Sequence, residues 1–238
     1  MMAIRALLFD VFGTVVDWRG GVAREAAEFF ARRGLAGVDP LAFADAWRER
    51  YQPAMQAVRT GRRAFTRLDT LHRENLEAVL PDFGVDPGET PAEELEALNL
   101  AWHRLDPWPD VVDGLHRLKR GHVIAPLSNG NFSLLLDMSR RAALPWDAIM
   151  GAELAGAYKP APQAYLRSVE MLGMSPKEVC LVAAHNGDLA AARGCGLRTA
   201  FVPRRLEYGP GQTTDLVAEQ DWDLVAEDFG ALADVLGA

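Results

Sequence analysis

The sequence predicts an α/β chain: a doubly wound parallel sheet with an all-helical block inserted after its first strand. Three observations carry this. The apolar run Leu7-Leu8-Phe9 passes into Asp10-Val11-Phe12-Gly13-Thr14, the order of a buried strand that ends in a polar loop. From Gly20 to about Arg104 the apolar residues recur at helical spacing, with no strand alternation. Beyond about His122 strand-like and helix-like stretches alternate, which implies parallel strands with helices on both faces of the sheet.

In chain order, the first strand is expected over Ile4 to Val11. The helical block follows in three groups: Val22, Ala26, Phe29 and Phe30; Phe43, Trp47, Tyr51 and Met55; and Leu68, Leu71, Leu76, Val79 and Leu80. Asp39-Pro40 and the stretch from Asp82 to Pro91 punctuate these helices, and Pro107-Trp108-Pro109 reads as a hinge back to the sheet. A strand is expected over His122 to Leu127, kinked or shortened because Pro126 cannot donate to a ladder. Then come a helix from about Phe132, a short strand near Ala148 to Met150, a helix over Pro162 to Leu172 and a strand over Val179 to Ala184. A helix over Leu189 to Cys195 and a strand over Thr199 to Val202 complete the alternation. The stretch from Pro203 through Gly211 to Asp221 is loop-like, and a last helix covers about Ala226 to Leu236.

Composition narrows the function classes. A chain of 238 residues buries enough surface to need no staples, and its two cysteines, Cys180 and Cys195, form no metal-like or C-x-x-C spacing, so both read as small core hydrophobes. A formal net charge of −8 argues against a general nucleic-acid or anionic-membrane binder. The start from Met1 to Phe9 is a short apolar run that Asp10 interrupts, neither a secretory signal nor a membrane span. A cytoplasmic protein is expected.

Sheets of this kind carry their chemistry at the carboxyl ends of the strands. Asp10, Ser128-Asn129, Lys159 and His185 to Asp188 each fall where a predicted strand yields to a loop or helix, so they converge on one pocket. Asp10 is the candidate nucleophile. Taken alone, its stretch reads equally as a turn, since Asp and Gly are ordinary turn residues.

Asp10 in FDVFGT, Ser128 in LSNGN, Lys159 in YKPAPQAY and Asp188 before LAAARGCG resemble the four ordered motifs of the haloacid dehalogenase superfamily. The resemblance spans essentially the whole chain. It implies a Rossmann-like core domain over residues 1–16 and 106–238, and a helical cap over 17–105. Most of that superfamily are magnesium-dependent phosphatases, with a second aspartate two residues after the nucleophile and another five residues before the last motif's aspartate. Here those positions are Phe12 and Ala183, so a side-chain carboxylate that a hard cation would take is lost and an apolar residue stands beside the nucleophile.

What remains resembles the type II 2-haloacid dehalogenases, whose family implies no metal and no organic cofactor. Asp10 would displace halide from C2 of a short 2-haloacid, and water would cut the resulting ester. Lys159 would keep Asp10 ionised, since a nearby positive charge favours the carboxylate. Arg48 in Ala46-Trp47-Arg48-Glu49-Arg50-Tyr51 matches the cap arginine that guides the substrate carboxylate, a task its planar fork suits; a solvated charge-rich helix face is the competing reading. Thr14, Ser128 and the amides around Phe12 and Asn129 would cradle negative charge.

Asp188 would hold Lys159 or position water, and Tyr165 would hydrogen-bond within the site or pack in the core. His185, where many relatives have asparagine, would activate water or donate to the halide; a loop histidine satisfied by backbone groups is the alternative. Phe12, Trp47, Tyr51 and Phe65 are candidates for the pocket wall. The other histidines, His72, His103, His116 and His122, read as structural. The resemblance also implies a homodimer. Within the superfamily, a haloacetate- or fluoroacetate-preferring enzyme, an unusual phosphatase and a non-enzymatic binding module stay open.

Overall fold

The computed structural model describes residues 3–238, and the chain divides into two compact units: Met1–Asp17 with Asp106–Ala238, and Trp18–Leu105. Strand β1 (Ala6–Phe9) opens the first unit with every side chain buried, as an unbroken apolar run requires of a strand flanked on both sides and covered on both faces. Strand β2 (Val16–Asp17) closes the loop that follows it.

The second unit is helical: α1 (Trp18–Arg32), α2 (Pro40–Glu49), α3 (Tyr51–Arg59), α4 (Leu68–Val79) and α5 (Ala92–Asn99). Asp39 caps α2 by accepting from the amides of Leu41 and Ala42, and Pro40 sets the entry angle of the first turn. The unit's core is aromatic. Phe43 packs edge-on against Phe30 at 5.1 Å and Phe83 at 5.2 Å, and Trp47 stands edge-on to Trp102 at 5.5 Å. Trp47, a candidate for the pocket wall, sits buried in this core and donates from Nε1 to the carbonyl of His72 at 3.0 Å.

The first unit resumes with β3 (Asp106–Pro107), which pairs antiparallel with β2. There follow α6 (Val111–Leu118), β4 (Val123–Pro126), α7 (Phe132–Arg141), α8 (Ala152–Ala155), α9 (Pro162–Met171), β5 (Val179–Ala183), α10 (Asn186–Gly194), β6 (Arg198–Phe201), β7 (Leu224–Val225) and α11 (Phe229–Leu236). Among the described residues five strands form one sheet in the order β4-β1-β5-β6-β7, and every neighbouring pair is parallel. The chain passes from β1 to β4 on one side and then crosses to β5 on the other. That reversal opens a crevice at the carboxyl end of β1, where Asp10 stands.

Several elements differ from the sequence expectation. Ala148 to Met150 is not a strand; one isolated bridge joins Ser128 to Gly151 there. The strand expected over His122 to Leu127 is shorter, as Pro126 requires: β4 covers Val123–Pro126 and ends at Pro126, opposite Phe9 on an edge strand, where a missing donor costs little. Helix α10 begins at Asn186 rather than Leu189, because its first turn is polar and the apolar period starts one turn late. The last helix begins at Phe229, behind a cap in which Asp228 accepts from the Ala231 amide. Cys180 is buried and Cys195 partly buried, both free. No helix among the described residues is long and apolar enough to cross a membrane.

Candidate active site

Asp10 follows β1 directly, with its amide donating to the Val182 carbonyl of β5 at 3.0 Å, so the backbone of two strands fixes its position. The residue is 7% exposed. Oδ1 accepts from Lys159 Nζ at 2.8 Å, and Oδ2 accepts from Thr14 Oγ1 at 2.7 Å. His185 Nδ1 lies 3.1 Å from the same Oδ2. Burial alone would raise the Asp10 carboxyl, but the charges of Lys159 and His185 and their hydrogen bonds hold it well below the usual carboxylate range. It is ionised at neutral pH.

Lys159 bridges two carboxylates, meeting Asp188 Oδ2 at 2.5 Å as well as Asp10. Burial would lower the ammonium, and the two negative charges more than offset it, holding it above the ordinary lysine value. Asn129 ties Lys159 to the end of β4, with its Oδ1 accepting from the Lys159 amide at 2.8 Å. Tyr165 Oη donates to Asp188 Oδ1 at 2.6 Å; burial first and the Asp188 charge second push the phenol up, so it stays a donor. Both oxygens of Asp188 therefore carry donors, Lys159 on one and Tyr165 on the other.

Thr14 both donates to Asp10 and accepts from the Ala184 amide at 2.9 Å, so its hydroxyl locks Asp10 to the end of β5. Ser128 Oγ accepts from the Gly130 amide at 3.0 Å and shapes the turn after β4. Phe12, 3% exposed, lies in the same loop. Asp10, Phe12, Thr14, Ser128, Asn129, Lys159, Tyr165, His185 and Asp188 thus all belong to the first unit. Arg48 belongs to the second, where its guanidinium lies over the rings of Tyr51 at 4.0 Å and Trp18 at 5.1 Å.

Sequence reasoning missed a set of residues that holds this loop. Glu207, 1% exposed, accepts from His185 Nε2 at 2.8 Å. Gly13, at φ 88°, leaves it room: a Cβ there would stand 2.1 Å from Glu207 Oε1. Arg204 donates to the Thr14 carbonyl at 2.9 Å and forks onto Asp110 at 2.6 and 2.9 Å, while Trp108 Nε1 donates to the Gly13 carbonyl at 2.8 Å. Asn186 anchors the tail loop over α10, accepting from Trp222 Nε1 at 2.9 Å and donating to Asp215 at 2.9 Å. These contacts come from the hinge and from a stretch read only as loop, and no spacing in the sequence links them to Asp10.

A family model for haloacid dehalogenase-like hydrolases matches residues 4–196. The chain is 54% identical to the defluorinating L-2-haloacid dehalogenase Rha0230, with a TM-score of 0.97 over 99% of this chain and 96% of that one. It is 48% identical to the L-2-haloacid dehalogenase PA0810, with a TM-score of 0.93 over 99% of each chain. Against (S)-2-haloacid dehalogenase 4A of Burkholderia cepacia it is 28% identical, over 95% of this chain and 96% of that protein.

Proposed function

The chain belongs to the haloacid dehalogenase-like hydrolase family, and from that premise we propose that it is a hydrolytic dehalogenase of short-chain 2-haloacids. One observation carries the reading: an ionised Asp10 carboxylate, met by Lys159, Thr14 and His185, is followed two residues on by apolar Phe12. Asp10 attacks C2 of the substrate. The O–C2 bond forms as the carbon–halogen bond breaks, halide leaves with the bonding pair, and C2 inverts. Water then adds to Cγ of the ester, the Cγ–O bond to the product breaks, and a 2-hydroxy acid departs carrying an oxygen that came from Asp10.

The substrate is itself an anion. Two unit charges ~4 Å apart repel by about 4 kcal/mol at an effective dielectric near 20, roughly three decades in rate if nothing offsets them. Lys159 and His185 supply positive charge beside Asp10, and in this reading Arg48 takes the substrate carboxylate in its fork, on the strength of the family resemblance. The second unit is the cap in the same reading, and the homodimer belongs to it too. Against a phosphatase stand Phe12 and Ala183, which bring no side-chain carboxylate for a hard cation or for acid–base work.

The test is a halide-release panel of fluoro-, chloro- and bromoacetate with both enantiomers of 2-chloropropionate, read by ion chromatography. Fluoroacetate is included because the 54% identical relative is a defluorinating enzyme. Halide is expected from the wild type and none from Asp10→Asn. Magnesium-dependent phosphate release without any halide would overturn the reading. A single turnover in ¹⁸O-water with enzyme in excess should give unlabelled product, and label in the first product would overturn the ester mechanism.

A further inference from the structure

Glu207 is a buried carboxylate that the reaction above does not use. It reaches the site because its turn is bolted to the nucleophile loop: Arg204, three residues earlier, is fixed to the Thr14 carbonyl and to Asp110, and Gly13 leaves the space that the Glu207 carboxylate fills. Its partner His185 is the N-cap residue of α10, a place where the helix dipole disfavours positive charge. Yet His185 lies within hydrogen-bond distance of a carboxylate at each ring nitrogen, Asp10 Oδ2 at 3.1 Å and Glu207 Oε2 at 2.8 Å. Burial would lower the imidazole, and the Glu207 charge, with the hydrogen bonds and charge of Asp10, raises it well above its ordinary value.

Two carboxylates on one histidine are not equivalent during turnover. Once Asp10 becomes an ester it is neutral, and a histidine paired with Asp10 alone would lose the charge that holds its second proton. Glu207 takes no part in the ester and stays beside His185 Nε2 throughout the cycle. We propose that Glu207 is a positioning residue that keeps His185 an imidazolium in the ester state, so that His185 and Thr14 together hold the oxyanion of ester hydrolysis on Asp10 Oδ2. The proposal rests on the dehalogenase reading.

In the step itself, water adds to Cγ and the carbonyl pair moves to Oδ2, where Nδ1–H of His185 and Oγ1–H of Thr14 donate to it. On collapse the Cγ–Oδ1 bond breaks. Oδ1 leaves on the product with one of the two water protons, the other goes to solvent, and Asp10 is again a carboxylate. The charged groups around His185 are Asp10 and Glu207 in direct contact, with Lys159 and Asp188 behind Asp10.

Rapid-quench intact-protein mass spectrometry, with a haloacid that the wild type turns over, tests this. His185→Gln should release about one equivalent of halide in a burst and then hydrolyse its ester about a hundred- to a thousandfold more slowly, the usual cost of one lost oxyanion donor, so the adduct accumulates. In Glu207→Gln, His185 loses the carboxylate at its Nε2 that raises it, and its charge is lost at lower pH. Hydrolysis should therefore fail on the alkaline side first, with adduct appearing as pH rises and vanishing as pH falls. Adduct that grows toward acid pH would make His185 a base and overturn the proposal. So would the absence of adduct in both variants while the wild type turns over. No halide from the wild type on any haloacid is a different failure, which removes the dehalogenase reading and this inference with it.

Discussion

His72 is buried on α4 with its ring stacked on Trp102, centroids 4.3 Å apart. Burial pushes its imidazole down to about 3; the positive charges of Arg48 and His103 add to this and Asp69 opposes it. The native state therefore holds His72 neutral while the unfolded state takes up a proton below about pH 6.5, and uptake by the unfolded state alone lowers stability. Between about pH 6.5 and 4 the wild type should lose about 1.4 kcal/mol per pH unit more than His72→Phe, as measured by urea unfolding at each pH. Parallel curves for the two proteins would refute the neutral buried histidine. Reading His72 as structural was open to the sequence, because it lies in an apolar helical period. The convergence of Asp10, Lys159 and Asp188 was legible as well, Asp10 and Asp188 from their places after β1 and β5 and Lys159 only from its place in the ordered motifs, since no strand forms directly before it. What Thr14 bonds was not: a hydroxyl has several partners within reach, and only the register of β1 against β5 delivers Asp10 and the Ala184 amide to it. Glu207 was the least legible, since its partner lies across a loop whose path tertiary packing decides.

At the scale of elements, α6 and α11 meet at Gly114, where a Cβ would lie 2.4 Å from the Phe229 Cβ and 2.9 Å from the Phe229 carbonyl carbon. Alanine is the better helix former, by about 1 kcal/mol. The clash is with backbone as well as side chain, however, so no rotamer change relieves it, and overpacking of this kind costs about 1–3 kcal/mol. The clash should win. Gly114→Ala is expected to lose up to about 2 kcal/mol, as much as roughly 4–8 °C in Tm, by calorimetry; a higher Tm would show that the two helices can part. The existence and order of the major helices and long buried strands were legible because each carries one clear period. The elements missed were those without one. Strand β7 has two residues, Leu224–Val225, too few to alternate, and the expected strand at Ala148 to Met150 contributes a single bridge at its far end because Gly151 needs the backbone of Gly130 close by: a Cβ at Gly151 would stand 2.3 Å from the Gly130 carbonyl oxygen.

At the scale of the molecule, the helical unit is an insertion whose exit and return points are paired. Val16 stands opposite Pro107 and Asp17 opposite Asp106, so β2 and β3 bring the two ends of the first unit to within about 5 Å across one antiparallel ladder. The second unit closes on itself in the same way. Trp18, its first residue, stacks on Trp102 at 6.2 Å; Arg24 donates to the Arg104 carbonyl at 2.8 Å; and Arg104 pairs with Glu25 at 2.5 Å. Charge and stacking thus fasten α1 to the unit's last turn, and the aromatic cluster around Phe43 and Trp47 supplies a core of its own. A segment of this length, with its own core and with joined ends, has what an independently folding domain needs. Residues 18–105 expressed alone should therefore unfold cooperatively in urea and keep a near-ultraviolet circular dichroism signal from the buried Trp18, Trp47 and Trp102. A broad, non-cooperative transition, or a flat near-ultraviolet spectrum, would mean that the insertion borrows its stability from the sheet domain, and that the paired strands are a bridge between two parts of one folding unit.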